Sequence, residues 1–435
     1  MTFRRFVKMF IPRKIFKTIE PYGHLGEAIL FNSLYRFPAR RLKVIGVTGT
    51  NGKTTTCFMI HRMLLDAGYN VGLMTTIAYG VGDEITPQIH HMTNVTMPEL
   101  MRRLTHFREK KTEWLVLETT SQALAQNRVW GIPYTIAVIT NVTHEHLDYH
   151  RTFERYRDAK RKLFQICNRN RRGLRTGIVN ADDPSAQLFI SDIKQPISYG
   201  INHGELKAVN VALKPDSISY QVRRGEEIIY TINSKLPGSF NVYNSLAAVC
   251  VGNRLGLSRE QVEKGIAALK KVEGRMTRID DGQAFTVIVD YAHTPDSFEK
   301  LFKDMRPTVK AKLIVLFGSA GRRDEAKRVV QGKLAGRYAD LIVITEEDDR
   351  DADGESIMRQ IASGAESAGK KLDEDMFLIH DRSKAIQYTI NLAKKDDTVL
   401  ILGKGHEKTI ERADGEHRWD EIGTTKHALQ NRKTS

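Results

Sequence analysis

The residues with the clearest chemical potential lie in one stretch, KVIGVTGTNGKTTT, at positions 43–56. A β-branched run there predicts a buried strand, followed by a glycine-rich turn and the start of a helix. Glycines let backbone N–H groups surround a phosphate, Lys53 can reach the β- and γ-phosphates of a nucleotide, and the Thr54 hydroxyl can ligate Mg²⁺. The pattern therefore predicts a phosphate-binding loop. Its members are Gly49, Thr50, Asn51, Gly52, Lys53, Thr54 and Thr55.

A second group of polar residues follows later predicted strands. Glu118 ends the strand in WLVLETTS, and His146 lies in NVTHEHLDYH, after the next strand. Ligands of such sheets bind at the carboxyl ends of the strands, so Glu118, His146 and Thr54 could together hold Mg²⁺ on ATP. His is a poor ligand for Mg²⁺, so an ordinary polar loop stays open as the alternative. For Lys160, on the helix that follows, the residues alone favour a solvated side chain.

Composition excludes several classes of protein. The chain has 435 residues and is 41% hydrophobic, enough for two or three domains with cores of their own. Its three cysteines are far apart in sequence, which argues against a disulfide framework or a zinc site and favours a reducing cytoplasm. The sequence has neither an apolar run of about 18 residues nor a signal-peptide core, so we expect no membrane span. The net charge is +15, but no nucleic-acid-binding motif accompanies it, so we expect no nucleic-acid partner.

The order of predicted elements gives an α/β fold in three parts. Residues 1–42 form a basic, aromatic N-terminal helical extension. Residues 43–276 form a central P-loop ATPase domain with a mostly parallel sheet, and period-two patterns between 205 and 236 predict an antiparallel β insert in it. Residues 277–435 form a Rossmann-like C-terminal α/β domain with further strand–helix alternation.

Eight motifs occur in the order found in the Mur ligase family, and they most resemble its MurE branch. They are GTNGKTTT, ETTS, NVTHEHLDYH, RDAKRKLF, GSFNVYNSLAA, EGRM, DYAHTPDS and GKGHE. The resemblance covers residues 43 to about 425. It implies a cytoplasmic, monomeric ligase that uses ATP to convert the carboxylate of a muramyl-dipeptide precursor, UDP- or lipid-linked, into an acyl phosphate. The amine of a free diamino acid then attacks this intermediate, and the products are the amide, ADP and phosphate.

The resemblance also implies roles for the catalytic residues. Thr54, Glu118 and His146 are the expected Mg²⁺ ligands, and Lys53 is expected to hold the β- and γ-phosphates. Lys160 aligns with the lysine that the family carbamylates, and a buried lysine with a lowered pKa can take up CO₂. The carbamate would ligate a second Mg²⁺. The implied cofactors are therefore ATP and two Mg²⁺ ions, with a carbamylated lysine.

The remaining matches imply contacts with the nucleotide and the two substrates. The nucleotide contacts are Asn241, Asn244, Arg275, Asp290 and His293. The contacts with the acceptor peptide are Thr96, Ser121, Gln126 and Arg128. The contacts with the incoming amino acid are Arg323, Asp348, Arg350, Gly403 and Glu407.

The sequence departs from the family pattern at several places. Gln122 stands where the family has a histidine, and the signature D-N-P-R of the amino-acid site reads Glu347-Asp348-Asp349-Arg350. The retained arginine favours meso-diaminopimelate, because a guanidinium binds a carboxylate bidentately, and L-lysine is the next candidate. The family's uridine-binding domain has about a hundred residues, and only about 42 precede the phosphate loop here.

Two alternatives to this function stay open. One is another ligase of the superfamily, of the folate polyglutamate or polyamino-acid type, and the other is a non-catalytic nucleotide-binding partner protein. The N-terminal extension has two hypotheses of its own. Residues 1–35 combine apolar and basic residues at helical spacing, as in a helix that lies on the anionic inner face of a membrane. In the other hypothesis these helices pack on the central domain with their charges in water.

Overall fold

The buried β-branched runs of the sequence form the strands of two large sheets. The computed structural model describes residues 13–88 and 93–434. The elements as far as residue 200 are α1 (Arg13–Leu34), a 3₁₀ turn (Pro38–Arg41), β1 (Lys43–Thr48), α2 (Lys53–Asp66), β2 (Val71–Met74), β3 (Ala78–Val81), β4 (Glu84–Pro87), α3 (Met97–Glu109), β5 (Trp114–Glu118), α4 (Ser121–Ala125), β6 (Tyr134–Ile139), α5 (Leu147–His150), α6 (Phe153–Arg169), β7 (Thr176–Asn180), α7 (Ala186–Ser191) and β8 (Gln195–Gly200).

The second half of the chain continues the alternation of strands and helices. Its elements are β9 (Leu206–Lys214), β10 (Ser217–Arg224), β11 (Glu227–Ser234), α8 (Ser239–Arg254), α9 (Arg259–Ala268), β12 (Thr277–Ile279), β13 (Thr286–Asp290), α10 (Pro295–Met305), a 3₁₀ turn (Arg306–Thr308), β14 (Leu313–Phe317), α11 (Ala326–Tyr338), β15 (Leu341–Ile344), α12 (Gly354–Glu366), β16 (Met376–Leu378), α13 (Arg382–Leu392), β17 (Thr398–Leu402), β18 (Thr409–Arg412), β19 (Gly415–Arg418) and α14 (Glu421–Thr434).

The first sheet has eleven strands in the order β11-β10-β9-β8-β7-β6-β1-β5-β2-β3-β4. The pairs from β9 through β2 are parallel, and antiparallel pairs close both ends. The predicted antiparallel insert is thus the outer edge of the same sheet rather than a separate sheet. The β2–β4 strands at the other edge were not predicted from the sequence. The expected α/β class, with a mostly parallel sheet, is confirmed.

The central position of β1 brings the chemistry together. Its neighbours are β5 and β6, so the phosphate loop after β1, Glu118 at the end of β5 and the loop after β6 share one edge of the sheet. Buried aliphatic side chains cover both faces of these strands, among them Val47 and Ile136 on one face and Val44 and Leu115 on the other. Each such side chain contributes roughly 1.5–3 kcal/mol through burial, which holds the polar edge in place.

The second sheet has six strands in the order β12-β13-β17-β14-β15-β16, all parallel except β12. Helices cover both faces, with Phe298 and Ile361 in one core and Ile386 and Leu429 in the other. The carboxyl ends of β13, β14, β15 and β17 therefore form a second polar edge.

We call the part of the chain built around the eleven-stranded sheet the first unit and the part built around the six-stranded sheet the second unit. Helix α1 packs on the first unit through a narrow inner face. Ala28 and Asn32 are buried, and the Asn32 amide donates to the backbone oxygen of Trp130 at 3.2 Å. Pro21 lies inside the helix without ending it. Among residues 13–88 and 93–434 no helix is long and apolar enough to cross a bilayer. Residues 1–12, where the N-terminal apolar spacing begins, lie outside the described residues.

The buried pair between Arg382 and Glu421 joins three parts of the second unit. Both side chains are fully buried, and the Arg382 Nε donates to Glu421 at 3.0 Å. The same guanidinium donates to the backbone oxygens of Glu346 (2.9 Å) and Leu402 (2.7 Å), at the ends of β15 and β17. It therefore fixes α14 and both strand ends around one charge.

We predict that Arg382→Met lowers the free energy of unfolding by about 3–5 kcal/mol, because it leaves a buried carboxylate without its partner. Denaturant unfolding followed by circular dichroism measures this change. Arg359→Met is the matched control, since the Arg359–Glu355 pair is exposed on α12 and its loss should change stability little. Equal stabilities of the two variants would contradict the assigned role of Arg382.

Candidate active site

The phosphate loop has a shape that requires its glycines. Gly49 and Gly52 have φ angles of 152° and 84°, and a β-carbon at these positions would meet the side chains of Thr140 and Asn244. Two hydrogen bonds from the loop after β6 hold the phosphate loop in this shape. Thr140 Oγ1 donates to the Asn51 oxygen at 2.6 Å, and the Asn51 N–H donates to Asn141 Oδ1 at 3.0 Å. The loop is therefore already shaped before a phosphate binds.

Two lysines lie under this loop: Lys160 is buried and Lys53 is partly buried. Lys53 Nζ donates to the backbone oxygen of Thr50 at 2.8 Å, and Lys160 Nζ donates to that of Gly49 at 2.7 Å. Within residues 13–88 and 93–434, neither amine has a carboxylate oxygen within 4.0 Å. Burial lowers the pKa of Lys160 well below its usual value, and the charge of Lys53 lowers it further. Burial also lowers the pKa of Lys53, while Glu118 opposes that shift.

Thr54 and Glu118 meet directly at the sheet edge. The Thr54 hydroxyl donates to Glu118 Oε2 at 3.0 Å, and the Thr76 N–H donates to the same oxygen at 3.0 Å. A hydroxyl and a carboxylate are hard oxygen donors of the kind Mg²⁺ prefers, so these residues fit the ion. Arg275 from the second half of the chain also reaches the Thr54 hydroxyl, at 3.4 Å.

His146 has a different immediate partner from the other expected metal ligands. It begins α5 with a positive φ of 56°, and its Nδ1 lies 3.5 Å from the Gln122 amide. Burial lowers the pKa of His146 well below its usual value, with Lys160 and Lys53 next in effect. The ring is therefore neutral and able to act as an acceptor or ligand at neutral pH.

A cavity of about 530 Å³ lies between the two α/β units. Its lining includes nine of the twelve residues expected to bind the nucleotide, which are Asn51, Gly52, Thr54, Thr55, Asn241, Asn244, Arg275, Asp290 and His293; Gly49, Thr50 and Lys53 are not part of this lining. The volume suits a small-molecule ligand, and the lining is more apolar than polar, as is usual for such sites. Among the described residues the buried Nε of Arg275 has no hydrogen-bond partner, so its N–H can donate a hydrogen bond to a ligand oxygen.

The cavity also contains residues that the sequence analysis missed. His144 and Phe153 stack on each other with ring centroids 5.0 Å apart. Lys300 forms an ion pair with Asp296 at 2.9 Å, and Asp296 accepts from the Asn51 amide at 2.8 Å. His144 and Asp296 lie within the motifs NVTHEHLDYH and DYAHTPDS, but the sequence analysis assigned them no role. The contact of α10 with the phosphate loop depends on tertiary packing and has no local sequence signal.

The residues expected at the acceptor peptide lie beside α1. Ser121 Oγ is 3.1 Å from Nε2 of the buried His150, and the Gln126 amide is 3.5 Å from Glu20 of α1. Arg128 donates to the backbone oxygen of Val95 at 3.4 Å, one residue before Thr96, which caps the start of α3. We call the surface of α4 that carries Ser121, with Gln126 and Arg128 just after it, the acceptor entrance. Thr96 is joined to it through the Arg128 contact with Val95 and makes no side-chain capping bond.

Four of the five residues expected at the incoming amino acid form one charged cluster at the ends of β15 and β17. Lys404 Nζ donates to Asp348 Oδ1 at 2.8 Å and to Glu407 Oε2 at 2.6 Å. Arg350 forms an ion pair with Glu411 and donates to the Gly321 oxygen at 2.7 Å. The cluster comprises Glu347, Asp348, Arg350, Gly403, Lys404, Glu407 and Glu411.

The fifth residue, Arg323, lies outside this cluster. Its guanidinium is 3.8 Å from Asp148 of α5, across the gap between the two units.

Within the cluster, burial raises the pKa of Glu347, and the nearby Lys327 gives the largest opposing effect. Lys327 is itself buried and donates to the His293 oxygen at 3.2 Å. Sequence reasoning missed Lys327, Lys404 and Glu411.

Fold and site together define the class of ATP-dependent ligases: a phosphate loop with Mg²⁺-type donors faces a charged amino-acid-sized cluster across a nucleotide-sized cavity. Two family domains match the chain: the Mur ligase middle domain over residues 47–252, and the Mur ligase, glutamate ligase domain over residues 274–405. The chain belongs to the Mur ligase family, whose members use ATP and Mg²⁺. The resemblance found in the sequence motifs is confirmed.

Similar proteins cover most of the chain. The UDP-N-acetylmuramyl-tripeptide synthetase of Roseiflexus sp. (strain RS-1) is 38% identical over 421 residues, which are 94% of this chain and 82% of that protein. The UDP-N-acetylmuramoyl-L-alanyl-D-glutamate--2,6-diaminopimelate ligase of Geobacillus thermodenitrificans (strain NG80-2) is 38% identical over 422 residues, 95% and 84% of the two chains.

Solved structures share the fold. A UDP-N-acetylmuramoyl-L-alanyl-D-glutamate--2,6-diaminopimelate ligase superposes with a TM-score of 0.62 at 26% identity, over 96% of this chain and 84% of that chain. A folylpolyglutamate synthase of Mycobacterium tuberculosis gives a TM-score of 0.72 at 17% identity, over 87% and 92% of the two chains. The second likeness concerns the fold alone.

Proposed function

We propose that this chain is a MurE-type ATP-dependent carboxylate–amine ligase that adds a diamino acid to a muramyl-dipeptide precursor of peptidoglycan. The observation that carries the proposal is the position of Lys53, Lys160 and Glu118 at one sheet edge, across the cavity from the charged cluster. The relatives named above are tripeptide synthetases and diaminopimelate-adding ligases, which supports this substrate class.

The residues of this chain have separate tasks in the two steps. The acceptor carboxylate attacks the γ-phosphorus of ATP, ADP leaves, and the amine then displaces phosphate from the acyl phosphate. The loop N–H groups and Lys53 hold the β- and γ-phosphates, while Arg275 approaches the same phosphates from the second unit. Bound Mg²⁺ supplies neutralisation of phosphate charge, and Thr54, Glu118 and His146 are its proposed ligands.

Lys160 is proposed to work as a carbamate. An amine with a lowered pKa is uncharged for part of the time, and only the uncharged amine reacts with CO₂. Among the described residues its one hydrogen bond goes to the Gly49 oxygen, and the centre of the Tyr156 ring lies 4.3 Å away. A carbamate there replaces a buried cation, which is costly, with an anion beside Lys53. The carbamate can also ligate a second Mg²⁺.

The charged cluster is proposed to select a diamino acid. Arg350 can bind a distal carboxylate of the amino acid when its ion pair with Glu411 opens. This favours meso-diaminopimelate. The acids Glu347 and Asp348 can bind an ammonium group, which keeps L-lysine as the second candidate. We assign nucleotide binding mainly to residues 43–276 and amino-acid binding to residues 277–435, with Arg323 reaching the amino acid when the two units close.

We propose a cytoplasmic, monomeric enzyme that touches the anionic inner face of the membrane through residues 1–35. The outer face of α1 supports this proposal, because its exposed residues carry no charge over four helical turns. They are Ile19, Tyr22, Gly23, Gly26, Ile29, Leu30, Ser33 and Leu34. The five apolar members are 42–73% exposed, and basic residues flank this stretch in the sequence.

We predict that Lys160→Ala lowers turnover by roughly 10²-fold or more, the size expected for losing one preorganised electrostatic group. Bicarbonate should restore little activity, since no amine remains, whereas a small carboxylic acid should restore part of it by filling the gap. Arg169→Ala, at the exposed end of the same helix, is the control. An alanine variant that keeps more than half of wild-type turnover would exclude the assignment.

The amino acid is identified by phosphate release from ATP, measured with UDP-muramyl dipeptide and each candidate amine. We predict higher kcat/KM for meso-diaminopimelate than for L-lysine, and loss of that preference in Arg350→Ala, because the carboxylate partner is gone. Val330→Ala, an exposed change on α11, is the control. If L-lysine is preferred and Arg350→Ala does not alter the preference, the choice of diaminopimelate is wrong. If no amine releases phosphate, the ligase function itself fails.

Membrane contact is tested by sedimentation with vesicles that contain anionic lipid. We predict that Tyr22→Ser, Ile29→Ser and Leu30→Ser together abolish co-sedimentation, and that salt weakens binding of the wild type. Val329→Ser with Val330→Ser removes exposed apolar residues from α11 and should leave binding intact. If wild type and triple variant stay in the supernatant alike, the face has another role.

A further inference from the structure

A second pocket of about 420 Å³ opens beside the acceptor entrance. The end of α4, helix α5 and the first turns of α6 form its walls. We call it the basic pocket; its lining includes Ala125, Tyr149, His150, Arg151, Arg155 and Lys162. Nothing in the proposed ligase chemistry uses these side chains.

The charge of the basic pocket is unbalanced. Within the described ranges 13–88 and 93–434, no carboxylate oxygen lies within 4.0 Å of Arg151, Arg155 or Lys162. The only acid in the lining, Asp158, accepts hydrogen bonds from Arg157 (3.3 Å) and Arg161 (3.2 Å) instead. Three cations thus face one concave space whose single acid already accepts from two other arginines, so an anion that enters it gains from all three.

The floor of the basic pocket is neutral. His150 is buried, and burial lowers its pKa to about 4, with Lys160 and Lys162 contributing further. Burial raises the pKa of Tyr149, so its phenol also stays protonated and can donate a hydrogen bond. Neither group adds a negative charge, and both present polar atoms beside the three cations.

Two contacts connect the basic pocket with the acceptor entrance. His150 Nε2 lies 3.1 Å from Ser121 Oγ, and the Tyr149 side chain meets Gln126, which in turn lies 3.5 Å from Glu20 of α1. Ser121 and Gln126 are the residues assigned above to the acceptor peptide. An acceptor bound there would have its far end within reach of the pocket.

We propose that the basic pocket binds the diphosphate through which the acceptor is joined to its carrier. The inference rests on the proposed ligase function, since it concerns the far end of the same acceptor. Two guanidinium groups and one ammonium suit a diphosphate, because arginine binds phosphate oxygens bidentately and lysine adds a point charge. A nucleoside diphosphate and a lipid diphosphate offer the same group.

The test uses the full chain and two acceptors that differ only in the diphosphate carrier: the UDP-linked muramyl dipeptide and the free muramyl dipeptide. The variant is R151Q/R155Q/K162Q. We expect kcat/KM for the UDP-linked acceptor to fall by about tenfold or more, with an unchanged value for the free acceptor and an unchanged KM for ATP. The control R171Q/R172Q/K194Q removes the same charge from exposed positions of the same unit and should behave as the wild type.

Inhibition identifies the source of the diphosphate. UDP and inorganic diphosphate should inhibit the wild type and lose potency against the triple variant. A vesicle-borne polyprenyl-diphosphate acceptor should be used better than the UDP-linked one if the carrier is a lipid, and worse if it is a nucleotide. Equal losses with both acceptors, or no loss with either, would overturn the proposal. If the wild type ligates no acceptor, the ligase function fails separately, and binding of inorganic diphosphate by calorimetry still decides whether the pocket holds this anion.

Discussion

The placement of two lysine amines beneath one glycine-rich loop, that of Lys160 buried and that of Lys53 partly buried, is the constraint on which the rest of the site depends. Lys53 and Lys160 each donate to a loop carbonyl rather than to a carboxylate. Two like charges in a desolvated place repel each other, so the arrangement persists only because the sheet core holds the loop and α6 in position. A phosphate or a carbamate relieves that repulsion. Relief of this repulsion is thus a driving force for binding the groups that the reaction needs.

The sequence was sufficient for features that depend on local backbone rules or on sheet geometry. The phosphate loop follows from glycines that no other residue can replace, as at Gly52, whose β-carbon would meet Asn244. The contact between Thr54 and Glu118 follows from the rule that parallel strands place their carboxyl ends together. The mostly parallel α/β class followed from the same alternation of strands and helices.

Features that depend on long-range packing were not predictable in this way. The β3–β4 hairpin contains Gly80 and Gly82, which interrupt the apolar alternation that marks a strand. Helix α1 continues through Pro21, because its inner face packs on the first unit, a contact that the local sequence does not reveal. Lys404 lies in the motif GKGHE and pairs with Glu407 three residues away, but its contact with Asp348 had no local signal. The same holds for Glu411 and Arg350, since each of these two pairs joins residues more than fifty positions apart.

Charges at the meeting of the two units show how the halves of the reaction are connected. Asn51 of the phosphate loop donates to Asp296 of α10, so the loop contacts the second unit directly. Burial raises the pKa of Glu145, beside His146, and the pKa of Glu347 in the charged cluster. Lys327, on the other side of the gap, opposes both of these shifts. One buried ammonium therefore acts on a carboxylate of each unit. Because its position is fixed by the His293 oxygen, any shift of the second unit changes the electrostatics at the phosphate and at the amine together.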